Sequence, residues 1–282
     1  ILAVNDRART VENWQAGRGN DWVDQMLFGG MTECQRHGYH LLFELVDTQP
    51  GLGRRQLSAA VASLRPDGVI LTPPHSDNDE LAALLEQRGI ACARIGRREG
   101  RSHIDVFMDE AGAAAEVTRH LIGLGHRSIA FLAGDPGYGN SRLRVQGFRR
   151  AMQEAGIKAN PLVGTGDFHF DHAARVVEQW LRSDHPPTAI IADNDQMAFA
   201  VLHLADRHGL AVPGQLSLVS FEDTPGVRLT IPPMTAVRQP TARMIAVACE
   251  RLIAVSRGED RAGAFQIDFD LIVRETTGPA KP

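Results

Sequence analysis

Cysteine is scarce in this chain of 282 residues, and the three present, Cys34, Cys92 and Cys249, are odd in number, far apart and set in apolar stretches. That pattern excludes a disulfide framework and matches no metal-ligand spacing, so buried reduced thiols in a reducing compartment are expected. Long apolar runs are missing too. None approaches the roughly 18 residues of a membrane span, so no membrane partner is expected. Charge of one sign is absent: 23% of residues are charged and the net charge is −4. Without a basic footprint, these residues are not expected to hold nucleic acid themselves. The chain opens on Ile-Leu-Ala-Val-Asn-Asp with no initiator Met, basic segment or cleavage site, and reads as a piece or processed form of a longer protein.

Reactive chemistry is equally hard to find. There is no Gly-x-Ser-x-Gly elbow, no His-Glu-x-x-His and no cysteine spaced from a base. The loop Gly134-x-x-Gly137-x-Gly139 lacks a Walker lysine and the dinucleotide spacing. The polar clusters at 75–79 and 167–172 lack zinc or calcium spacing. No enzymatic activity, cofactor or metal is therefore expected.

What is present is alternation. Hydrophobic residues make up 43%, and short apolar runs alternate with helical periodicity, the signature of βαβ units and mostly parallel sheets. Strands are predicted at 2–4, 40–46, 68–71, 92–95 and 106–108, with helices at 23–37, 53–64, 79–88 and 110–123. A second series follows. Its strands are predicted at 129–133, 162–164, 189–192 and 216–221, and its helices at 142–155, 170–183 and 195–209, with a short piece near Pro225. The remainder, a strand at 235–237, a helix at 241–257 and one strand at 265–271, is too small for a third lobe. The expected architecture is α/β: two doubly wound parallel-sheet lobes joined by a three-crossover hinge. The lobes comprise 1–125 plus 240–268 and 126–239 plus 269–282.

The run 124–156 is the most telling. A buried strand enters a glycine-rich loop, and the loop enters a helix carrying Arg142 and Arg144, which sets guanidinium groups at the carboxyl edge of a parallel sheet. It stands among seven blocks: Arg-Pro-Asp-Gly-Val-Ile-Leu (65–71), Met-Asp-Glu-Ala-Gly-Ala (108–113), His-Leu-Ile-Gly-Leu-Gly-His-Arg-Ser-Ile-Ala-Phe-Leu-Ala-Gly (120–134), Arg-Val-Gln-Gly-Phe (144–148), Ala-Asp-Asn-Asp-Gln-Met-Ala (192–198), Val-Pro-Gly-Gln-Leu-Ser-Leu-Val-Ser-Phe-Glu-Asp (212–223) and Leu-Ile-Val-Arg-Glu-Thr-Thr (271–277). In this order and spacing the chain resembles the effector-binding core of the lactose repressor and galactose repressor (LacI/GalR) family over nearly its whole length. The resemblance implies a type I periplasmic-binding-protein-like core, normally joined to a helix-turn-helix headpiece that is absent from this chain. It implies a cytoplasmic homodimer that binds a small effector, a sugar or glycoside, between its lobes, and that meets operator DNA only through the headpiece. The rival reading is a free-standing periplasmic sugar-binding protein on the same core.

The resemblance also proposes site residues. Arg144 is similar to the family arginine that anchors the effector, with a fork suited to vicinal hydroxyls or a carboxylate; Arg142 serves the surface or the subdomain interface. Asn194 resembles an effector contact, with Asp195 as a helix N-cap or a second contact. Glu222 stands where relatives usually carry Asp, which moves the acceptor by a methylene. Phe168 matches an aromatic platform. From the first lobe, Trp22 is a second platform, and the strand-end residues Asn5, Asp6, Thr72 and Asp109 face the carboxyl edge. Gln239 lies in a crossover. The segment 7–21 reads as a loop longer than relatives have, either a lid or a solvated insertion.

Overall fold

The structure, a computed structural model, describes residues 1–17, 19, 21–49, 51–98, 104–157, 162–259 and 262–281. The chain divides into two compact units, Ile1–Met108 with Pro240–Asp268, and Asp109–Gln239 with Phe269–Pro282.

In the first unit β1 (Leu2–Asp6), β2 (Leu42–Val46), β3 (Gly68–Leu71), β4 (Ala91–Ile95), β5 (Ile104–Phe107) and the late strand β11 (Gly263–Gln266) form one parallel sheet in the order β11-β5-β4-β3-β1-β2. Its central strand β3 is Gly-Val-Ile-Leu, buried at every position, as a strand covered on both faces requires. Helices α1 (Arg7–Gln15), α2 (Asp21–Arg36), α3 (Leu52–Leu64), α4 (Asp79–Gln87) and α9 (Thr241–Ser256) belong to this unit. Helix α2 lies so close to α9 that a Cβ on Gly29 would sit 2.0 Å from the Ala242 carbonyl oxygen. All three cysteines are free and buried, as expected.

The second unit repeats the arrangement. Strands β6 (Ile129–Ala133), β7 (Leu162–Thr165), β8 (Ala189–Ala192), β9 (Ser217–Glu222), β10 (Thr235–Arg238) and β12 (Asp270–Ile272) pair in the order β12-β10-β9-β8-β6-β7, with β12 antiparallel to β10. Helices α5 (Glu110–Gly123), α6 (Gly139–Glu154), α7 (Phe170–Leu181) and α8 (Asp195–Arg207) cover it. Its core gathers Leu132, Trp180, Ile190, Met197, Val201 and Leu218, among others. No helix among the described residues is long and apolar enough to cross a membrane.

Three expectations need correction. The first division falls between Met108 and Asp109, so α5 belongs to the second unit and not to a lobe ending at 125. The reason is packing. Gly147 on α6 brings the two backbones so close that a Cβ there would lie 2.0 Å from the Ala111 carbonyl oxygen, and the amide of Ala280 donates to the Leu124 carbonyl. The single strand predicted at 265–271 is two strands, β11 and β12, one in each sheet. Segment 7–21 is not a loop, because Arg7–Gln15 is helix α1, opened by Asp6 and seated on the buried Thr10. Arg18 and Asn20 of that segment lie outside the described residues.

Candidate functional site

In the second unit the loops leaving β6, β7, β8 and β9 meet at the carboxyl edge of the sheet. Their backbones are unusual. Asp167 (φ 55°), Phe168 (φ 56°), Glu222 (φ 117°) and Asp223 (φ 59°) are non-glycine residues at positive φ, two following β7 and two at the end of β9. Such conformations cost of order 1–3 kcal/mol each and persist where the surroundings hold them, commonly at binding sites.

Arg144 sits at the centre and is 1% exposed. Its Nε donates to Glu110 Oε2 at 2.6 Å, and its Nη1 donates to the Asp193 carbonyl at 2.9 Å and to Asp193 Oδ1 at 2.8 Å. The guanidinium carbon stands 4.5 Å from the centroid of the Phe221 ring. Nη2 is buried and has no partner among the described residues. Glu110 reaches Arg144 because α5 and α6 touch at Gly147, one turn along α6 from Arg144. Asp193 is held from its other side, where Oδ2 accepts from the Gly134 amide at 2.9 Å and from the Ser141 hydroxyl. Burial pushes the Glu110 carboxyl above its ordinary range while Arg144 pulls it down. Burial opposes the charge on Arg144, yet Glu110 and Asp193 hold its pKa above the ordinary arginine value. Arg144 is thus first an internal ion pair, and only its Nη2 end is open to the part of effector anchor. Arg142 is exposed and donates to the Pro136 carbonyl.

Phe168 is half-buried, its ring lying against Gly134 so closely that a Cβ there would meet the ring at 2.0 Å. Tyr138 meets the ring edge-on at 5.3 Å. A side chain at 134 would evict the platform, which is why the loop after β6 starts with glycine. That glycine's amide faces a carboxylate, an arrangement unsuited to cradling phosphate.

The N-cap expected at Asp195 falls to Asn194. Asn194 is the N-cap of α8, its Oδ1 accepting from the Met197 amide at 2.9 Å while its Nδ2 donates to the Phe168 carbonyl at 3.3 Å. Both ends of its amide therefore serve the fold. Asp195 is buried inside the first turn, where it accepts from the Ser220 hydroxyl and from the Thr224 amide at 2.8 Å. Burial pushes its carboxyl up to about 6. Glu222 is half-buried and accepts from the Asp195 amide at 3.4 Å.

Asp109 is exposed and caps α5 through the Gly112 amide at 2.9 Å; it belongs to the second unit, not the first. Gln239 is half-buried at the end of that unit's central segment. Asp6, Thr72 and Trp22 belong to the first unit. Asp6 caps α1 by accepting from the amides of Ala8 and Arg9. Thr72 is fully buried, its hydroxyl 2.8 Å from both the Val4 carbonyl and Asn5 Oδ1, while Asn5 also donates to Thr10. The side chains of Asn5, Asp6 and Thr72 are engaged within the unit and hold the end of β1. Trp22 is half-buried in the first turn of α2.

Sequence reasoning missed Glu110, Asp193 and Ser141. The signal for Asp193 was available, since an acid directly follows four buried apolar residues in β8. Glu110 carried no such signal, because an acid in the first turn of a helix is ordinary.

Residues 118–277 match the model of a periplasmic binding protein-like domain. The chain is 30% identical over 247 residues to the transcriptional regulator DegA of Bacillus subtilis, covering 86% of this chain and 73% of that protein. A LacI family transcriptional regulator from Mycobacterium smegmatis is 29% identical, with a TM-score of 0.82 over 99% of both chains. The regulator CelR in complex with cellobiose is 26% identical, with a TM-score of 0.85 over 98% of this chain and 83% of that one.

Two predictions follow from the geometry of this unit. Arg144→Ala leaves two buried carboxylates without their cation, and breaking a buried ion pair costs about 3–5 kcal/mol. The unliganded variant is expected to melt about 10 °C or more below the parent by calorimetry; an unchanged midpoint would refute the structural role. Asp195 has its folded pKa above the unfolded value, so its contribution is present below about pH 4 and is lost as pH rises through about 6. Asp195→Asn carries no such loss. Its stability relative to the parent should therefore rise by about 3 kcal/mol between pH 4 and 7, measured by denaturant titration.

Proposed function

Since the chain belongs to the LacI family of transcriptional regulators, we propose that the carboxyl edge of its second sheet binds a small effector, a sugar or glycoside, as the ligand-sensing core of such a regulator. The observation that carries the site is a buried guanidinium nitrogen, Arg144 Nη2, without a hydrogen-bond partner among the described residues, in a unit whose strained loops also hold the half-buried ring of Phe168. A sugar has chemistry for each. Hydroxyl or ring oxygens accept from Nη2, and the C–H face of the ring packs on the aromatic. Glu222, ending β9, supplies a carboxylate acceptor for sugar hydroxyls. The cellobiose-bound relative supports the sugar class. By linkage, an effector that lowers operator affinity binds less tightly when the regulator is on DNA. The reading assigns no chemical step to these residues, and places the protein with DNA in the cytoplasm.

The test is calorimetric titration with D-glucose, D-galactose, cellobiose and lactose. At least one is expected to bind saturably, and Phe168→Ala, which removes only the platform, should weaken that sugar at least about ten-fold, the size of a lost aromatic contact with its buried area. Unchanged affinity in Phe168→Ala removes the platform from the site, and silence from every neutral sugar removes the sugar class.

The same reading includes a homodimer. Leu229 and Ile231 in the second unit are 82% and 93% exposed, and Phe28 and Met31 on α2 of the first are 65% and 58% exposed. Large apolar side chains left this open favour association with a second copy. Sedimentation should find a dimer that the double variant Leu229→Asp, Ile231→Asp weakens; a monomer in the parent protein would overturn this part.

A further inference from the structure

We propose that Asp193 and Glu110 make the Arg144 half-site a filter against anionic effectors, so that it takes uncharged polyhydroxylated ligands and turns away their carboxylate and phosphate counterparts. The inference rests on the effector-site reading above and adds the rule by which that site selects.

An arginine recognises a carboxylate or phosphate best by two parallel N–H donors, drawn either from Nη1 and Nη2 or from Nε and Nη2. Both pairs are broken here. Nε is committed to Glu110 at 2.6 Å, and Nη1 is committed twice to Asp193, at 2.8 and 2.9 Å. Phe221, 4.5 Å beneath the guanidinium, fixes its plane. What remains is one nitrogen, Nη2. A single nitrogen suits a hydroxyl or ether oxygen and denies an oxyanion its two-point grip.

Arg144 carries one positive charge against two carboxylates, each at least nine-tenths buried. Asp195 and Glu222 add acids along the same edge, joined by the Asp195 amide. On the β9 and β10 side, Arg238, Arg274 and Arg228 converge on the one carboxylate of Asp223, which they meet at 2.8, 2.6 and 3.6 Å. An arriving oxyanion therefore meets a guanidinium whose field is already cancelled, in surroundings where like charges act strongly.

Asp193 is a positioning residue in this scheme, and its test must read selectivity as well as stability. Asp193→Asn removes the charge and keeps one acceptor oxygen, enough for Nη1 or for the Gly134 amide but not for both; Glu110→Gln removes the charge and keeps its acceptor for Nε. Far-UV circular dichroism on both checks that the fold is kept, and either variant suffices. Two readouts are taken on the full chain at constant ionic strength. One is the ratio of affinities for D-glucose and cellobiose against D-glucuronate and D-glucose 6-phosphate. The other is the rise in melting temperature with inorganic phosphate, which needs no knowledge of the natural effector. The parent should favour the neutral sugars and gain little from phosphate. Each variant should shift the ratio at least about ten-fold towards the charged ligands and gain a phosphate-dependent rise, the scale of one charge-assisted hydrogen bond. A parent that binds the acid or phosphate as tightly as the neutral sugar overturns the filter, and so do variants whose ratio and phosphate response match the parent. If no sugar binds the parent, the effector-site reading fails, while the phosphate comparison still decides the filter.

Discussion

The second unit is organised around one buried cation. Arg144 is held by Glu110 from the start of α5 and by Asp193 from the end of β8, both shielded from water. Desolvating three charged groups is costly, and it is offset only where donors and acceptors are matched closely. That condition propagates outward. Glu110 can reach the guanidinium only if α5 lies directly on α6, and this demands glycine at 147. Asp193 can point at it only if its second oxygen is occupied, which Gly134 and Ser141 accomplish. The division of the chain at Met108/Asp109 follows from the same constraint, since the helix carrying Glu110 cannot be assigned away from its arginine.

Around this fixed point the edge is strained. Phe168 at φ 56° and Glu222 at φ 117° adopt backbone that few side chains tolerate. Each is held by a neighbour: the Phe168 carbonyl accepts from Asn194, and Glu222 accepts from the Asp195 amide. The restraints come from the opening of α8, so Asn194 and Asp195 act as a clamp that presents the aromatic ring and the acid. Local preference gives way to the fold along this edge, and such disagreements are commonest at binding sites.

Much of this was legible in the sequence and some was not, for identifiable reasons. Strands such as Gly68–Leu71 and Ala189–Ala192 were plain because a doubly covered strand is continuously apolar. Helix α1 was not, because only Thr10 of its nine residues is buried and no apolar stripe marks it. Its one local signal was Asp6, a good N-cap read instead as a ligand contact. Asn194 and Asp195 are equally able caps, and the choice between them is made by Ser220 and Thr224, more than twenty residues downstream. The strand at 265–271 was read as one because alternation carries no information about which sheet a residue joins. Arg144 stands out in the sequence as a candidate, yet no local signal shows that it is an internal ion pair. Its partners lie 34 and 49 residues away in sequence, and no local pattern announces them.

Within this network, Nη2 is left without a hydrogen-bond partner among the described residues. A buried guanidinium nitrogen without an acceptor costs about 1–3 kcal/mol in an otherwise satisfied network. Glu110 and Asp193 cannot relieve it without giving up the donors they already hold, so the fold alone leaves it unresolved. On the proposed reading, an effector oxygen placed there satisfies the nitrogen without disturbing the carboxylates, and the gain appears only when ligand is present. Binding free energy of this kind adds directly to folding stability by mass action. The same buried cation that holds α5, α6 and β8 together thus leaves one donor through which a ligand can strengthen them, which ties effector recognition to the rigidity of the whole unit.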